Sequence, residues 1–495
     1  MEVRNGSTRT WPAMGRLTLL LCLLAGWGSL VAQQGATVNL VKPKKYENRT
    51  LASERNTDKP LNPIGRLNQD LNTAYNFHFN AQNKLDEVIA RARQSHHDDF
   101  TRLLPFYDYT LDNTAGQKTE LDSVIMRCND AILLHDLRND WVDDMYLLMG
   151  KGYFYRKTFD SAAITFQYVN FAFQPRKKDE VGYDKFVGSN SNDKGNAYTI
   201  STKERSDPVS AALLRPPARN ESIIWLLRTL VETGEYNAAA SLMQTLRSDK
   251  NFPARLHGDL EELQAYWFYR NGQWDSTANH LAKALDGARS LQERSRWEYL
   301  VAQLYERSNK PVEADNFYEK AISHTTDPVM EAWARINQIR LITGEDEAQR
   351  IRKNIDELEK MARRSKYEDY RPIIYWAAAQ LELQRKETGN AMADLNKSIK
   401  SNFNDPALKN KAFSQLGDLA FAQRKYELAY HSYDSVDLSD PEVSDPASLR
   451  ERKSILAQLV YHEDQVNLED SLQHIASLPE KERNEYLKNL SKKLR

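Results

Sequence analysis

Three short runs in this 495-residue chain carry side chains that could do chemistry. His96-His97-Asp98-Asp99 offers metal ligands, but adjacent ligands rarely close around one ion, because a site needs spacing along a helix or between turns. Asp143-Asp144 offers paired carboxylates, which at the start of a helix also suit the helix dipole. Gly150-Lys151-Gly152 lacks the third glycine and the strand of a nucleotide-binding loop. No nucleophile–base set accompanies them, so we expect no catalytic residue, no metal site and no cofactor.

A small residue recurs along the chain and indicates which elements surround these runs. We call each occurrence of this small residue a mark, and the marks are Ala162, Ala239, Thr277, Ala314, Ala391 and Ala429. Successive marks lie 77, 38, 37, 77 and 38 residues apart. A bulky residue follows each mark by four positions, and Gly, Ala or Leu precedes it by twelve. One helix pair per period predicts an all-α fold, a tetratricopeptide-like helix-pair solenoid forming a superhelical array. With only 19 Gly and 17 Pro, the composition disfavours an all-β fold.

Changes in composition divide the chain into five parts. Residues 1–33 read as a signal peptide, because Arg16 precedes a short apolar stretch. A flexible N-terminal segment follows over residues 34–66, and an N-terminal helical region over residues 67–140. The repeat array spans residues 141–436 and contains a long polar loop at 176–217. Residues 437–495 read as a linker with a C-terminal helical cap or an interaction tail.

The two cysteines bear on export. Cys22 lies inside the apolar stretch of the leader, which disfavours its lipidation. Removal of the leader leaves Cys128 as the one cysteine, so no internal disulfide is expected. The net charge of -1 gives no bulk attraction to nucleic acid.

The concave face of the array is the candidate binding site, because the first helix of each pair lines it in solenoids of this type. The positions expected there mix aromatic rings with both charge signs, as in protein-binding grooves. The alternative is that several of them pack between repeats. The predicted groove comprises Lys151, Phe154, Arg228, Tyr266, Tyr269, Tyr299, Gln303, Glu306, Trp376, Gln380, Asp418 and Phe421.

Several elements outside the small-residue period go beyond a generic repeat protein. They include Tyr75-Asn76, Phe79-Asn80, Leu103-Leu104-Pro105, Arg127-Cys128-Asn129-Asp130-Ala131-Ile132, the run from Trp141 to Lys151, Phe154-Tyr155, Phe166-Gln167-Tyr168, Asp470-Ser471-Leu472-Gln473 and the run from Leu478 to Asn484. Together they resemble the SprE/PorW family of Bacteroidota, tetratricopeptide proteins of the type IX secretion system and of gliding motility. The resemblance spans about residues 70–490.

The resemblance implies a non-enzymatic adaptor in the periplasm, associated with the outer membrane. Its partners would be other protein subunits of the secretion apparatus, since family members are thought to link the outer-membrane translocon to the motor. Family members are typically lipoproteins, and this chain departs from them in lacking a clear lipidation signal. Two other readings remain open: a tetratricopeptide assembly factor for outer-membrane proteins, and an envelope enzyme whose site lies in residues 34–140 or in the long loop.

Overall fold

The computed structural model describes residues 38–54, 63–174, 200–204, 215–341, 347–401, 405–441, 443 and 445–493. Within these ranges every regular element is helical. None of the described helices has the length and apolar character needed to cross a membrane. The predicted signal peptide lies outside the described residues.

The chain divides into two compact units, and each is an array of packed helices. The first unit comprises the described parts of Met1–Asp98 and Pro105–Asn271. Its helices are α1 (Pro63–Asn72), α2 (Phe79–Gln94), α3 (Leu111–Ala115), α4 (Lys118–Leu134), α5 (Val142–Tyr155), α6 (Phe159–Ala172), α7 (Ala218–Thr233), α8 (Tyr236–Ser248) and α9 (His257–Arg270). A π-helical turn, Thr73–His78, joins α1 to α2.

The second unit comprises Asp99–Leu104 and the described parts of Gly272–Arg495. Its helices are α10 (Trp274–Ala284), α11 (Leu291–Arg307), α12 (Pro311–His324), α13 (Pro328–Leu341), α14 (Glu347–Ala362), α15 (Arg371–Gln384), α16 (Thr388–Lys400), α17 (Pro406–Ala422), α18 (Tyr426–Asp434), α19 (Pro446–Ser477) and α20 (Glu480–Lys493).

Consecutive helices pack against one another within each unit. In the first unit α4 packs on α5, α5 on α6 and α6 on α7. In the second, α11 packs on α12, α15 on α16 and α17 on α18. Each pair buries the face that it shares with the next helix, so the core runs along the array. The predicted fold class is confirmed: this is an all-α, tetratricopeptide-like array of helix pairs.

The small-residue period has a direct structural cause in the close approach of paired helices. Gly150 of α5 faces the ring of Phe166 on α6, and Gly417 of α17 faces the ring of Tyr433 on α18. A Cβ atom at either glycine would overlap that ring. In these two repeats the residue twelve before the mark therefore meets the bulky residue four after it. The mark itself, Ala162 or Ala429, is fully buried.

This close approach makes Gly150→Val a sensitive substitution. We expect it to destabilise the first unit by about 1–3 kcal/mol or more, because the added atoms overfill a packed seam. The change can be followed by urea unfolding and by alkylation of Cys128 in a Cys22→Ser chain. Cys128 is fully buried, and burial raises the pKa of its thiol, so it should react only when the unit opens.

Gly116→Ala is the matched control in the same unit, because Gly116 has a φ of −58° and a Cβ there would meet its nearest neighbour, the Asp112 carbonyl oxygen, at an ordinary 3.4 Å. That substitution should leave the protein as stable or raise its stability by about 0.4–1 kcal/mol. Equal urea midpoints for Gly150→Val and the wild-type chain would contradict the proposed packing.

Part of the predicted flexible segment is ordered, which corrects the assignment of residues 34–66. The side chain of Asn129 on α4 accepts a hydrogen bond from the backbone N–H of Val41 (2.8 Å) and donates one to its carbonyl (2.7 Å). Ser53 Oγ donates to the carbonyl of Leu133 (2.8 Å). Residues 38–54 therefore lie on α4, because the Asn129 carboxamide satisfies both backbone groups of one residue. The following helix begins at Pro63 rather than at residue 67.

The ends of the predicted 176–217 loop are anchored to neighbouring helices. The Asp249 carboxylate accepts from the backbone N–H of Ile200 (3.0 Å) and of Ser201 (2.8 Å). The side chain of Asn220 accepts from the N–H of Thr202 (2.8 Å) and donates to its carbonyl (2.8 Å). The rest of this loop, residues 176–199 and 205–214, lies outside the described residues.

The C-terminal region, predicted as a linker with a helical cap or tail, contains one long helix. Helix α19 runs unbroken from Pro446 to Ser477. It starts at an Asp445 cap, whose side chain accepts from Ser448 N–H (3.0 Å), and no Gly or Pro interrupts it before Pro479. Its buried residues are Leu456 and Val460, so its first half packs on the array and its second half is exposed.

Candidate functional site

In the first unit the predicted groove residues lie against another stretch of the same chain, residues 105–109. The Arg228 guanidinium donates to Tyr107 Oη (2.6 Å) and forms a forked ion pair with the Glu262 carboxylate (3.1–3.2 Å). The Phe106 ring lies 5.0 Å from the ring of Tyr266 and 5.6 Å from that of Tyr269, centroid to centroid. The helix face predicted to receive a partner is therefore covered by the chain itself.

In the second unit the stretch Asp99–Leu104 occupies the corresponding position. Gln303 holds its backbone, because Nε2 donates to the Arg102 carbonyl (2.6 Å) and Oε1 accepts from Leu104 N–H (3.0 Å). Tyr299 Oη donates to the carbonyl of Phe100 (3.0 Å). The rings of Phe100 and Tyr299 meet edge to face at 5.2 Å. Gln303 and Tyr299 thus bind backbone groups of three alternate residues, Phe100, Arg102 and Leu104.

The burial of these stretches shows that they are structural parts rather than removable covers. Leu104 is fully buried, Phe106 is 2% exposed, and Phe100 and Tyr109 are also buried. Each such side chain contributes about 1.5–3 kcal/mol on burial. Displacing two of them in one unit would therefore consume much of the stability of an ordinary domain, about 5–15 kcal/mol. A partner would not open this groove at moderate affinity.

The twelve predicted groove positions differ in burial. Six of them are buried: Phe154, Arg228, Tyr266, Tyr299, Gln303 and Trp376. Four are half-buried and engaged: Lys151, Tyr269, Glu306 and Gln380. Two are exposed on α17: Asp418 and Phe421. For the buried positions the alternative of packing within the protein describes the structure better than exposure in a groove.

Contacts explain the buried and half-buried positions that the two stretches do not reach. Phe154 packs edge to face on Trp225 (5.4 Å), and Lys151 Nζ bonds to the Glu221 carboxylate (2.6 Å). Trp376 Nε1 donates to Gln415 Oε1 (2.9 Å), which also accepts from Gln380 Nε2 (2.9 Å). Glu306 accepts from Tyr318 Oη (3.0 Å). These contacts join neighbouring helices, as the alternative of packing between repeats anticipates.

The side chains of the three runs that could do chemistry have structural partners. His96 Nε2 pairs with Asp98 Oδ1 (2.9 Å), and Asp99 accepts from the backbone N–H of Thr101 (2.9 Å). Asp143 Oδ2 accepts from Ala218 N–H (3.0 Å) at the start of α7, and burial raises the pKa of the Asp143 carboxyl. Within the described ranges no three His, Cys, Asp or Glu side chains are placed to hold a metal ion.

An open cleft of about 500 Å³ remains on the first unit, between the 105–109 stretch and α9. Its walls are Pro105, Phe106, Tyr107, Tyr109, Thr110, Leu111, Asp112, Lys157, Phe159, Glu232, Tyr266, Tyr269 and Arg270. We call it the aromatic cleft. Two ion pairs flank the rings, Lys157–Asp112 (2.6 Å) and Arg270–Glu232 (3.2 Å).

The polar groups of the aromatic cleft hold its rings in place. Tyr266 Oη donates to Glu232 (2.7 Å) and accepts from Arg270 (2.9 Å). Burial and the Glu232 carboxylate raise the pKa of the Tyr266 hydroxyl, so it stays a neutral donor. The arrangement is a preformed surface of rings and paired charges, which suits binding and provides no activated nucleophile.

Sequence reasoning found Tyr266 and Tyr269 but missed the opposite wall of the cleft. Phe106, Tyr107 and Tyr109 fall in the N-terminal region, residues 67–140, and were not among the predicted groove residues. The available signal was the density of aromatic residues in the run Pro105-Phe106-Tyr107-Asp108-Tyr109, since a solvated loop seldom carries three rings in four residues.

Comparisons with known proteins give little beyond architecture. No family model matches the chain, and no curated protein sequence matches it. BtubC (BKLC) from P. vanneervenii is 15% identical, with 47% of this chain and 80% of that chain covered and a TM-score of 0.22. The human IFIT1 dimer with m7Gppp-AAAA is 16% identical, with 86% and 98% covered and a TM-score of 0.28.

The P58(IPK) TPR domain is 10% identical, with 71% of this chain and 97% of that chain covered and a TM-score of 0.16. These similarities are too low to transfer any ligand or partner. The protein class defined by the structure is that of helical-repeat proteins, and the assignment rests on the helix pairs described above.

Proposed function

We propose that this chain is a non-enzymatic adaptor of the type IX protein secretion system, exported to the periplasm and associated with the outer membrane. It would connect components of the translocon and of the motor through its helical-repeat surfaces. The observation that carries the binding role is the aromatic cleft, whose six rings and two ion pairs have the composition of protein-binding hot spots.

The secretion assignment is supported by the sequence elements that resemble the SprE/PorW family, two of which lie in the described structure. Leu103-Leu104-Pro105 leads directly into the wall of the aromatic cleft, and Leu104 is fully buried. The run from Trp141 to Lys151 forms α5, which packs on α4 and α6. A generic repeat protein has no need of these elements, because helix pairs stack without them.

Rigidity is what makes this cleft suited to an adaptor. Phe106 and Tyr266 are only 2% and 6% exposed, so packing already fixes their rings and few rotamers are lost when a partner binds. Rings with a polar tip, such as Tyr269, contribute large contact area at low entropic cost. The charged pairs at the margin would select orientation rather than supply affinity.

A pull-down of tagged protein from the native envelope tests the proposal. We expect wild-type protein to recover translocon and motor subunits. The double variant Tyr269→Ala/Arg270→Ala should bind the cleft partner about 10- to 30-fold more weakly, as for loss of one or two hot-spot side chains. Purified partner and biosensor titration would supply the affinity.

Phe268→Ala is the matched control, since Phe268 lies on the same helix, is half-buried and does not line the cleft. It should retain wild-type recovery. Equal recovery by the cleft variant would refute the cleft as the binding site. Recovery of nascent outer-membrane proteins in place of secretion subunits would refute the type IX assignment and favour a general assembly factor.

A further inference from the structure

Two side chains that bind a peptide backbone in the second unit have counterparts two repeats later. Tyr299 and Gln303 of α11 hold the backbone of the stretch Asp99–Leu104, and we call them the first clamp. Trp376 and Gln380 of α15 follow these two residues by 77 positions, which is also the largest spacing between successive marks. A shared period places both pairs at equivalent positions of the helix array.

The first clamp shows what kind of chain such a carboxamide recognises. Gln303 Nε2 donates to the Arg102 carbonyl (2.6 Å), and Gln303 Oε1 accepts from the Leu104 N–H (3.0 Å). A carbonyl and an N–H two residues apart lie on the same side of a chain where that chain is extended. In the interior of an α-helix both groups are bonded within the helix, so a helix cannot supply them. The carboxamide therefore selects extended backbone.

The equivalent carboxamide of Gln380 holds no returning stretch of the described chain. It pairs with Gln415 of α17 instead: Gln380 Nε2 donates to Gln415 Oε1 (2.9 Å), and Gln415 Nε2 donates to Gln380 Oε1 (3.2 Å). Trp376 Nε1 donates to the same Gln415 Oε1 (2.9 Å). Both carboxamides are half-buried, so solvent reaches them. We call Trp376, Gln380 and Gln415 the second clamp.

The surroundings of the two clamps are also alike. Asn337 of α13 lies in the repeat between them, and its Nδ2 donates to Tyr299 Oη (2.8 Å), so the polar row continues beyond the first clamp. The half-buried ring of Trp333 lies 5.2 Å from the ring of Trp376, centroid to centroid. The Phe100 ring lies at the same distance from the ring of Tyr299. Each clamp thus has an aromatic neighbour beside its polar groups.

We propose that the second clamp binds an extended segment of a partner protein through its main chain. Gln380 and Gln415 exchange their mutual hydrogen bonds for a carbonyl and an N–H of the segment that are two residues apart, so bonds are replaced rather than lost. An apolar side chain of the segment packs beside Trp333, as Phe100 packs on Tyr299. This inference rests neither on the aromatic cleft nor on the type IX assignment.

The chemistry of the second clamp disfavours other occupants. A lipid chain offers no N–H to an amide oxygen, and nucleic acid is bound mainly by cations, whereas all three clamp side chains are uncharged. A partner helix has its backbone groups engaged internally. In a second copy the stretch Asp99–Leu104, which fits the first clamp, is already bound there, and Leu104 is fully buried. A separate protein with an unpaired extended segment remains.

Titration of the purified full-length chain with a synthetic peptide tests the proposal. The probe has the sequence of Asp99–Leu104, is acetylated and amidated, and carries a fluorophore for anisotropy. We expect saturable binding with a Kd below about 1 mM, and about tenfold weaker binding when the Leu104 nitrogen of the peptide is methylated. The methyl group removes one backbone donor and leaves every side chain unchanged. Equal affinities, or no binding of the unmodified peptide, would overturn the proposal.

Variants of the protein locate the bound peptide. Gln380→Ala/Gln415→Ala removes both carboxamides, so that neither is left unpaired, and should weaken binding of the unmodified peptide about tenfold. Gln423→Ala is the matched control, because Gln423 follows α17, is half-buried and bonds to Thr388 Oγ1 (2.8 Å) outside the clamp. It should bind the peptide like the wild-type chain. Wild-type affinity in the double variant, with an unchanged thermal melt, would contradict the proposal.

Photo-crosslinking in envelope preparations identifies the source of the segment. A benzophenone amino acid replaces Phe421, which is exposed on α17 beyond Gln415. We expect an adduct with another protein that excess Asp99–Leu104 peptide suppresses and that the Gln380→Ala/Gln415→Ala background loses. An adduct only within the same chain or with a second copy, or one that persists in the double variant, would refute binding of a partner at the second clamp.

Discussion

Replacing Glu262 with alanine is expected to destabilise the first unit by about 3–5 kcal/mol, because it leaves the Arg228 guanidinium buried without its counter-charge. Arg228 and Glu262 are both less than a tenth exposed, and three N–H···O contacts of 3.1–3.2 Å join them. Arg228 also bonds to Tyr107 Oη (2.6 Å), so the same charge holds the 105–109 stretch. Urea unfolding, read by alkylation of Cys128 in a Cys22→Ser chain, gives the change.

A double replacement distinguishes the charge effect from simple loss of packing. Arg228→Met/Glu262→Leu removes both charges and keeps most of the side-chain volume, so we expect it to be more stable than the Glu262→Ala chain. Asp112→Ala is the exposed comparison: Asp112 and its partner Lys157 are both solvent-accessible, and the cost should stay below about 1 kcal/mol. A Glu262→Ala chain as stable as Asp112→Ala would show that the buried pair does not hold the stretch.

The second large effect is expected for Leu104→Ala, at about 2.7–5 kcal/mol of lost stability in the second unit. Leu104 is fully buried, and its backbone N–H donates to Gln303 Oε1 (3.0 Å). Truncation would leave a cavity under the Asp99–Leu104 stretch that bound backbone cannot readily collapse to fill. Chemical unfolding followed by tryptophan fluorescence measures the loss, since Trp297 and Trp376 are buried in this unit.

Leu103→Ala is the adjacent control, because Leu103 is only half-buried and the same number of atoms is removed. Its cost should be clearly smaller than that of Leu104→Ala. If the two substitutions cost the same, or if both are neutral, the stretch is a loosely held cover. The predicted groove would then be accessible to a partner, and Tyr299 and Gln303 would return as candidate binding residues.

The different stability costs expected for Leu103→Ala and Leu104→Ala could not be predicted from the sequence. The motif Leu103-Leu104-Pro105 resembles a family element, yet it has no periodicity that would separate the buried leucine from the half-buried one. An extended stretch without a helix or a sheet has no regular face. Its burial is decided by Gln303 and Tyr299, about 200 positions away in the chain.

The sequence by itself determined the helix-pair architecture. Small and bulky residues recur at fixed spacing because two helices touch in each of these repeats, and such a spacing can be read directly from the sequence. The examples are Gly150, Ala162 and Phe166, with their counterparts Gly417, Ala429 and Tyr433. The predicted groove residues were likewise chosen by helical period.

Only the tertiary structure decided what covers those faces. Arg228, Tyr266, Tyr299 and Gln303 are buried because residues 99–109 return to them, and a contact of long sequence separation leaves no periodic trace. By contrast, some large apolar side chains of the N-terminal helix are exposed: Leu67, Leu71, Tyr75 and Phe79. The inward neighbours of these residues bond to residues 136–140, and no described segment packs on their outer side. Spacing determines which residues share a face, while burial depends on which distant segment the fold brings against it.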